Sequence, residues 1–247
     1  MREIRPVMGM PVEIEIVGEG TKPAVEDAFA YLQAVDERFS TYKDTSEISR
    51  INRGEFAPET ASREMREVFA IAERTKAETG GYFDIRRPDG SLDPSGIVKG
   101  WAVKNAAARI RENGQQHFFV NAGGDIAMSG QNANGEPWKV GIRNPFATDE
   151  IVKVVYPKGA GIATSGSYLR GAHIYDPHDP SRELRDIVSL TVIGPDVLEA
   201  DRYATAAFAM GKDGIAFIER TPGLEGYAIT DTGTAIFTSG FVTYTTP

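Results

Sequence analysis

Apolar and charged residues alternate near the beginning of the chain, at residues 12–16. A period of two places every second side chain on one face of a strand, so this segment predicts a strand with one solvent-exposed face. From Pro23 the period changes to that of a helix, because Val25, Phe29 and Leu32 fall on one side. Proline suits the first turn of a helix, and the first helix is therefore predicted to begin there.

The rest of the chain divides into helices and strands by the same two periods. Further helices are expected at residues 46–53, 62–79, about 97–114 and 197–210. Strands are expected at residues 118–120, 138–142, 151–156, 187–193, 227–229, 235–238 and 241–244. Because most helices precede most strands, the order predicts an α+β fold, a mainly antiparallel sheet flanked by helices. No linker-like segment interrupts residues 1–247, so a single domain is expected.

Composition and charge exclude several classes of protein. The chain of 247 residues has 35 acidic and 27 basic side chains, a formal net charge of −8, so a nucleic-acid backbone would be repelled. It has no cysteine, which excludes disulfides, thiolate metal sites and thiol nucleophiles. The first residues carry no apolar signal core, and no stretch approaches the roughly 20 apolar residues of a membrane helix. A soluble, cytoplasmic protein without membrane insertion is therefore expected.

Several glycine-containing segments fall at the ends of predicted elements, where glycine most often serves turns with positive φ. The free N–H groups at Gly96, where a helix begins, would also favour a phosphate, and Lys99 adds a cation one turn later. The backbone at Gly123 and Gly124 could approach a flat or anionic ligand closely, as could residues 164–166. The sequence has no Walker loop and no GxGxxG fingerprint, which argues against a Rossmann or P-loop nucleotide site.

Asp201 and Thr205 are four residues apart in a predicted helix, so a carboxylate and a hydroxyl lie on the same helical face. Oxygen ligands of this kind suit magnesium, which needs few protein ligands and keeps places for water and phosphate oxygens. The alternative is that Thr205 bonds to its own helix and that Asp201 is merely solvated. The spacing by itself favours this second interpretation.

One of the three histidines, His173, lies in a polar, loop-like stretch at residues 168–179, where proton transfer or contact with a substrate is possible. A solitary histidine is more often structural than catalytic, and Asp176 before Pro177 is typical of a turn. The spacing of these residues does not decide between the two roles.

Eight short segments form a collinear set along nearly the whole chain. They are Met8-Gly9-Met10-Pro11; Phe39-Ser40-Thr41-Tyr42 with Ser46-Glu47-Ile48-Ser49-Arg50-Ile51-Asn52; Gly81-Tyr82-Phe83-Asp84; Asp93-Pro94-Ser95-Gly96-Ile97-Val98-Lys99-Gly100-Trp101-Ala102; Asn121-Ala122-Gly123-Gly124-Asp125-Ile126; Ala163-Thr164-Ser165-Gly166; His173-Ile174-Tyr175-Asp176-Pro177; and Ala200-Asp201-Arg202-Tyr203-Ala204-Thr205-Ala206. In this order they resemble the segments of the ApbE-type FAD:protein FMN transferases. No segment is decisive alone, but the ordered set is highly specific.

The resemblance implies a site for FAD and magnesium on a single α+β domain. Asp201 and Thr205 would be magnesium ligands, which reverses the interpretation drawn from their spacing, and a backbone carbonyl near Gly96 would be the third ligand. Tyr42 would lie against the flavin or gate its site. His173 corresponds to the family's proposed catalytic histidine, and it and Asp201 are the expected catalytic residues. The residues expected to surround FAD are Lys99, Asn121, Gly123, Gly124, Asp125, Thr164 and Ser165.

The resemblance also implies the reaction. A threonine hydroxyl of an acceptor protein, in an FMN-binding-type domain with a short motif ending in Gly-Ala-Thr, would attack the FMN-side phosphorus of FAD and expel AMP. His173 would take the proton of that hydroxyl or position it. Three alternatives stay open: an FAD pyrophosphatase with water as the acceptor, a flavin-binding or storage protein without turnover, and a metal-free structural domain.

Overall fold

Ten strands form two sheets in the computed structural model of this protein, which describes residues 1–166 and 174–247. The strands are β1 (Arg2–Val7), β2 (Met10–Ile16), β3 (Phe118–Ala122), β4 (Asp125–Ser129), β5 (Val140–Asn144), β6 (Ala147–Val155), β7 (Gly161–Gly166), β8 (Ile187–Gly194), β9 (Glu225–Thr230) and β10 (Ala235–Phe237). Eight strands make one antiparallel sheet in the order β1, β2, β3, β4, β7, β8, β9, β10. The remaining two, β5 and β6, form a separate antiparallel pair.

The described residues also form six α-helices. They are α1 (Lys22–Phe39), α2 (Glu47–Asn52), α3 (Arg63–Glu78), α4 (Ser95–Glu112), α5 (Val197–Ala209) and α6 (Gly214–Arg220). Side chains cap three of these helices, because Ser46, Ser62 and Asp196 each accept a backbone N–H of the first turn. In the part of the chain that the structure describes, no helix is long and apolar enough to cross a membrane.

The helices pack on one face of the large sheet in two groups. The first group, with α1 and α4, buries Phe29 and Ile97 against β2 and β3. The second group, with α5 and α6, buries Phe208 against β7, β8 and β9. A third core lies on the opposite face, where Ile162 and Tyr227 pack beneath β5 and β6. Because α4 contacts α5, the two helical groups meet along that pair of helices.

The expected α+β class and the mainly antiparallel sheet are confirmed, and the five helices predicted from periodicity are present. The strand expected at residues 241–244 is wrong, because Phe241–Tyr244 is a short 3-10 helix. Phe241 is buried 5.1 Å from the ring of Tyr227, and its segment makes turn bonds, with the N–H of Thr243 donating to the carbonyl of Gly240. The Phe241 ring is thus buried against the sheet from a turn and not from another strand.

Candidate active site

The predicted metal ligands lie where α4 and α5 cross. A Cβ atom added at Gly100 would lie 2.7 Å from Asp201 Cβ, and one added at Gly96 would lie 3.3 Å from Thr205 Cγ2. Because real Cβ atoms do not approach within 3.0 Å, only glycine allows the backbone of α4 to come this close to Asp201. Two glycines one turn apart on α4 thus face Asp201 and the methyl group of Thr205, which are one turn apart on α5.

Asp201 is almost completely buried, and its carboxylate is held in a fixed orientation. The backbone N–H of Gly100 donates to Asp201 Oδ2 over 2.8 Å, and both groups are buried. The ammonium nitrogen of Lys99 lies 4.0 Å from the other oxygen, Oδ1. One carboxylate oxygen is therefore tied to the α4 backbone, while the second faces the Lys99 ammonium.

A second carboxylate, that of Asp125, lies beside the first. Asp125 is the first residue of β4, is 0% exposed, and has Lys99 Nζ 2.9 Å from its Oδ2. Asp125 Oδ1 has no hydrogen-bond partner among the described residues. Burial, and then the negative charge of Asp201, raise the pKa of the Asp125 carboxyl well above its ordinary value, while Lys99 opposes this shift.

The hydroxyl groups of β7 separate into two environments. Ser165 Oγ lies 3.5 Å from Thr205 Oγ1 and belongs to the sheet face that α5 covers. Thr164 precedes it in the strand and therefore points to the opposite face, where its Oγ1 lies 2.8 Å from Thr191 Oγ1. The structure thus brings Ser165, but not the side chain of Thr164, next to Thr205.

The turn between β3 and β4 has the backbone geometry that its glycines allow. Gly123 and Gly124 have φ of +60° and +101°, and the N–H of Gly124 donates to Asn121 Oδ1 over 2.9 Å. This turn lies nearer the surface than Asp125, which follows it and points inward. Asn121, Gly123 and Gly124 are therefore open to a ligand, whereas Asp125 is beneath them.

Two further predicted residues lie apart from these groups. Tyr42, in the connection between α1 and α2, is 94% exposed, so its ring offers a free face for stacking. His173, the expected catalytic histidine, lies outside the residues that the structure describes.

Two residues that support this crossing, Phe83 and Arg202, belong to the segments of the resemblance but were given no role from the sequence. Phe83 is buried, and its ring atom Cε2 would lie 3.0 Å from a Cβ at Gly96, so this ring packs over the beginning of α4. Arg202 is also buried, and it pairs with Glu78 of α3 and with Glu199 of its own helix. Its position next to Asp201 in the sequence was the available signal, because an arginine inside an apolar helix needs charged partners.

The donor set fits a small, hard cation. In the described ranges, no three His, Cys, Asp or Glu side chains are grouped as they would be in an all-side-chain metal site. The site instead combines two carboxylates and the Thr205 hydroxyl, and one carboxylate oxygen of Asp125 lacks a partner within the described chain. Magnesium accepts such a sparse set of oxygen ligands because it keeps several waters or phosphate oxygens.

Two surface hollows lie elsewhere and belong to other parts of the fold. One, of about 400 Å³, is lined by residues that include Tyr31, Trp101 and Arg109, and the other, of about 390 Å³, by residues that include Phe56 and Arg86. Neither is lined by Asp201, Thr205 or Asp125. The candidate site is therefore defined by its own converging polar groups, Asp201, Thr205 and Asp125, which line neither of these two hollows.

A model of the ApbE family matches this chain over residues 8–88 and 85–228. A protein of Salmonella typhimurium named FAD:protein FMN transferase is 27% identical to it, over 97% of this chain and 85% of the relative. A protein of Escherichia coli K12 with the same name is 33% identical over 62% of this chain. That match spans 46% of the Escherichia coli protein, about half its length.

Solved structures have the same fold. The flavin transferase ApbE from Vibrio cholerae superposes with a TM-score of 0.87 at 25% identity, over 99% of this chain and 98% of its own. The ApbE protein of Thermotoga maritima gives a TM-score of 0.88 at 20% identity, over 100% and 99% of the two chains. At that lower identity the similarity concerns the fold alone.

Proposed function

Because the chain belongs to the ApbE family, we propose that it is a magnesium-dependent FAD:protein FMN transferase. In this reaction FMN passes from FAD to a threonine hydroxyl of an acceptor protein with an FMN-binding-type domain, and AMP is released. The observation that carries the proposal is the close crossing of α4 and α5, which brings Gly96 next to Thr205 and Gly100 next to Asp201. This arrangement supports oxygen ligation of a cation at the point where a diphosphate would bind.

Magnesium would be held by the Asp201 carboxylate, the Thr205 hydroxyl and the Gly96 carbonyl, and when bound it would neutralise charge on the diphosphate. The N–H of Gly100, which donates to Asp201 Oδ2, is also the N–H that faces the Gly96 carbonyl in an α-helix. Asp201 and the Gly96 carbonyl therefore approach the same backbone group. The Asp201 carboxylate, through its other oxygen Oδ1, and the Gly96 carbonyl would then be near enough to bind one ion.

The beginning of α4 would bind the diphosphate of FAD. The N–H groups of Ser95 and Ile97 donate to Asp93 Oδ1 and to the Pro94 carbonyl, so the diphosphate would be attracted by the Gly96 N–H and by the positive end of the helix dipole. Lys99 would contribute less directly to diphosphate binding than its position in the sequence indicates, because its ammonium group faces Asp125 and Asp201. The exposed ring of Tyr42 and the turn with Gly123 and Gly124 are the groups proposed to contact the rest of FAD.

The chemical step would form a bond between the threonine oxygen and the FMN-side phosphorus while the bond to the AMP oxygen breaks. His173 is the proposed acceptor of the hydroxyl proton, and the departing AMP carries away the electrons of the broken bond. Asp201 would act through its hold on the cation. The residues around Asp201 would exclude water from the buried side of the site, since both Asp125 and Asp201 are buried.

The test is an incubation of the protein with FAD, magnesium and an acceptor domain that carries the Gly-Ala-Thr motif. Intact-mass analysis should show one FMN added to the acceptor, in a one-to-one ratio with AMP. An acceptor with valine in place of the motif threonine is the matched control and should stay unmodified. AMP and free FMN without an adduct would indicate a pyrophosphatase, and bound but uncleaved FAD would indicate a storage protein.

Two broader expectations remain part of the proposal. We treat residues 1–247 as one catalytic domain, which expression of this segment alone would test through FAD cleavage. We also expect the reaction to occur in the cytoplasm, and fractionation of cells that produce the protein would test that location. Recovery of the protein outside the cytoplasm would contradict the second expectation without affecting the proposed chemistry.

A further inference from the structure

We propose that Asp125 is a positioning residue, which holds Lys99 so that Asp201 remains available to the cation, and that it does not contact the flavin. This inference rests on the proposed function, because it assumes that Asp201 binds magnesium. It differs from the expectation drawn from the sequence, in which Asp125 surrounds FAD together with the turn that precedes it.

The first argument is burial. Asp125 is 0% exposed, while Gly123 and Gly124 before it lie closer to the surface. A ligand that rests on this turn would meet backbone atoms, since the Asp125 side chain points beneath them into the protein. Contact between the carboxylate and a flavin would require the turn to move.

The second argument is the geometry of the two carboxylates. Lys99 Nζ lies 2.9 Å from Asp125 Oδ2 and 4.0 Å from Asp201 Oδ1. The ammonium group is therefore shared unequally, with the closer contact to Asp125. Asp201 is held independently by the N–H of Gly100, which bonds to Oδ2 and leaves the orientation of Oδ1 defined.

The third argument is the balance of charge. With both carboxylates ionised, the two carboxylates and the ammonium group would give this cluster a net charge of −1, the state that a bound divalent cation would favour. Without the charge of Asp125, Lys99 would have Asp201 as its remaining carboxylate in the cluster, and an ammonium group that is only 17% exposed is stabilised by its closest counter-ion. Lys99 would then compete with the cation for Asp201 Oδ1.

The experiment measures binding of Mn²⁺, a spectroscopic substitute for magnesium, by electron paramagnetic resonance without FAD. For Asp125→Asn we expect Mn²⁺ affinity to fall by about 10–100-fold, as for other residues that orient a metal ligand. Fluorescence titration should show FAD affinity changed by less than about threefold. High magnesium should restore most of the turnover of this variant, because only occupancy of the cation site is reduced.

The matched control is Asp196→Asn. Asp196 also pairs with a lysine of α4, Lys104, over 2.7 Å, but this pair is exposed and lies at the N-terminus of α5, five residues before Asp201. Asparagine keeps the helix cap that Asp196 provides, so the substitution removes a similar charge without removing the cap. Its Mn²⁺ affinity should equal that of the unmodified protein.

A second variant tests whether Asp125 acts through Lys99. In Asp125→Asn/Lys99→Met both members of the buried pair are neutral, which a protein interior usually tolerates. Mn²⁺ affinity should recover by at least about fivefold relative to Asp125→Asn, because the competing ammonium group is gone. This variant also keeps the test decisive if the single substitution does not fold.

The outcomes separate this inference from the proposed function. Loss of FAD affinity with unchanged Mn²⁺ affinity in Asp125→Asn would overturn the inference, and so would the absence of recovery in the double variant. If Asp201→Asn still binds Mn²⁺ as tightly as the unmodified protein, the metal site itself is misassigned. Loss of binding in Asp201→Asn with normal binding in Asp125→Asn would contradict the inference alone.

Discussion

The two ends of the contact between α4 and α5 use the same residue types in opposite ways. At one end Lys104 and Asp196 form a pair whose side chains are 45% and 33% exposed, and Asp196 also caps α5. At the other end Lys99 faces Asp125 and Asp201, whose side chains are almost fully buried. Water screens the first pair, so its net contribution to stability is small. The charged groups of the second cluster lose hydration on burial, which costs free energy of folding. A role in binding explains this cost better than a role in stability.

The largest expected effect follows from removing the carboxylate at the buried end. Asp201→Ala should lower the rate of magnesium-dependent FAD cleavage by about 10³-fold or more, because the cation loses its charged ligand. Release of AMP at saturating FAD measures this rate. Circular dichroism should show an unchanged fold, and turnover equal to that of the unmodified protein would refute the metal assignment.

A smaller effect is expected from filling the space between the helices. Gly100→Ala places a Cβ 2.7 Å from Asp201 Cβ and 3.0 Å from the Val197 carbonyl oxygen, so α4 and α5 must separate. We expect a loss of about 1–3 kcal/mol in the free energy of unfolding, as for other overpacked sites, together with weaker Mn²⁺ binding.

Urea denaturation and the Mn²⁺ titration measure these two effects of Gly100→Ala. Alanine favours a helix over glycine by about 1 kcal/mol, so a stabilised variant would show that the predicted clash does not occur. Lys104→Ala, also on α4 but at the exposed end, is the control for changes in helix propensity.

At the exposed end the main contribution comes from the cap. Asp196→Ala removes the acceptor for the N–H groups of Leu198 and Glu199 and should reduce the free energy of unfolding by about 1 kcal/mol. Asp196→Asn should lose much less, since asparagine caps equally well. Urea denaturation of the two variants separates the cap from the charge, and equal losses would contradict this division.

The smallest effect is expected for the exposed ion pair itself. Lys104→Ala should change the free energy of unfolding by less than about 1 kcal/mol, because an exposed pair is weakened by water and salt. Denaturation at low and high salt measures this contribution. A loss comparable to that of Gly100→Ala would mean that the two ends do not differ as their exposure indicates.

Local patterns predicted the helices better than the strands. The stripe of Val25, Phe29 and Leu32 and the caps at Ser46 and Ser62 are local signals, because a helix satisfies its own backbone hydrogen bonds. Strands depend on neighbours that are distant in the sequence. β4 was missed because four of its five residues are buried, so it lacks the alternation of a strand with one exposed face.

The candidate site divides in the same way. The spacing of Asp201 and Thr205 is a local property of one helix, and the sequence by itself determined that they share a face. Only the tertiary structure placed Gly96 and Gly100 against them. It also turned Ser165, and not Thr164, toward α5, and placed Lys99 beside the buried Asp125. Which side chains converge between elements depends on strand register and helix crossing, and both arise from packing between segments far apart in the chain.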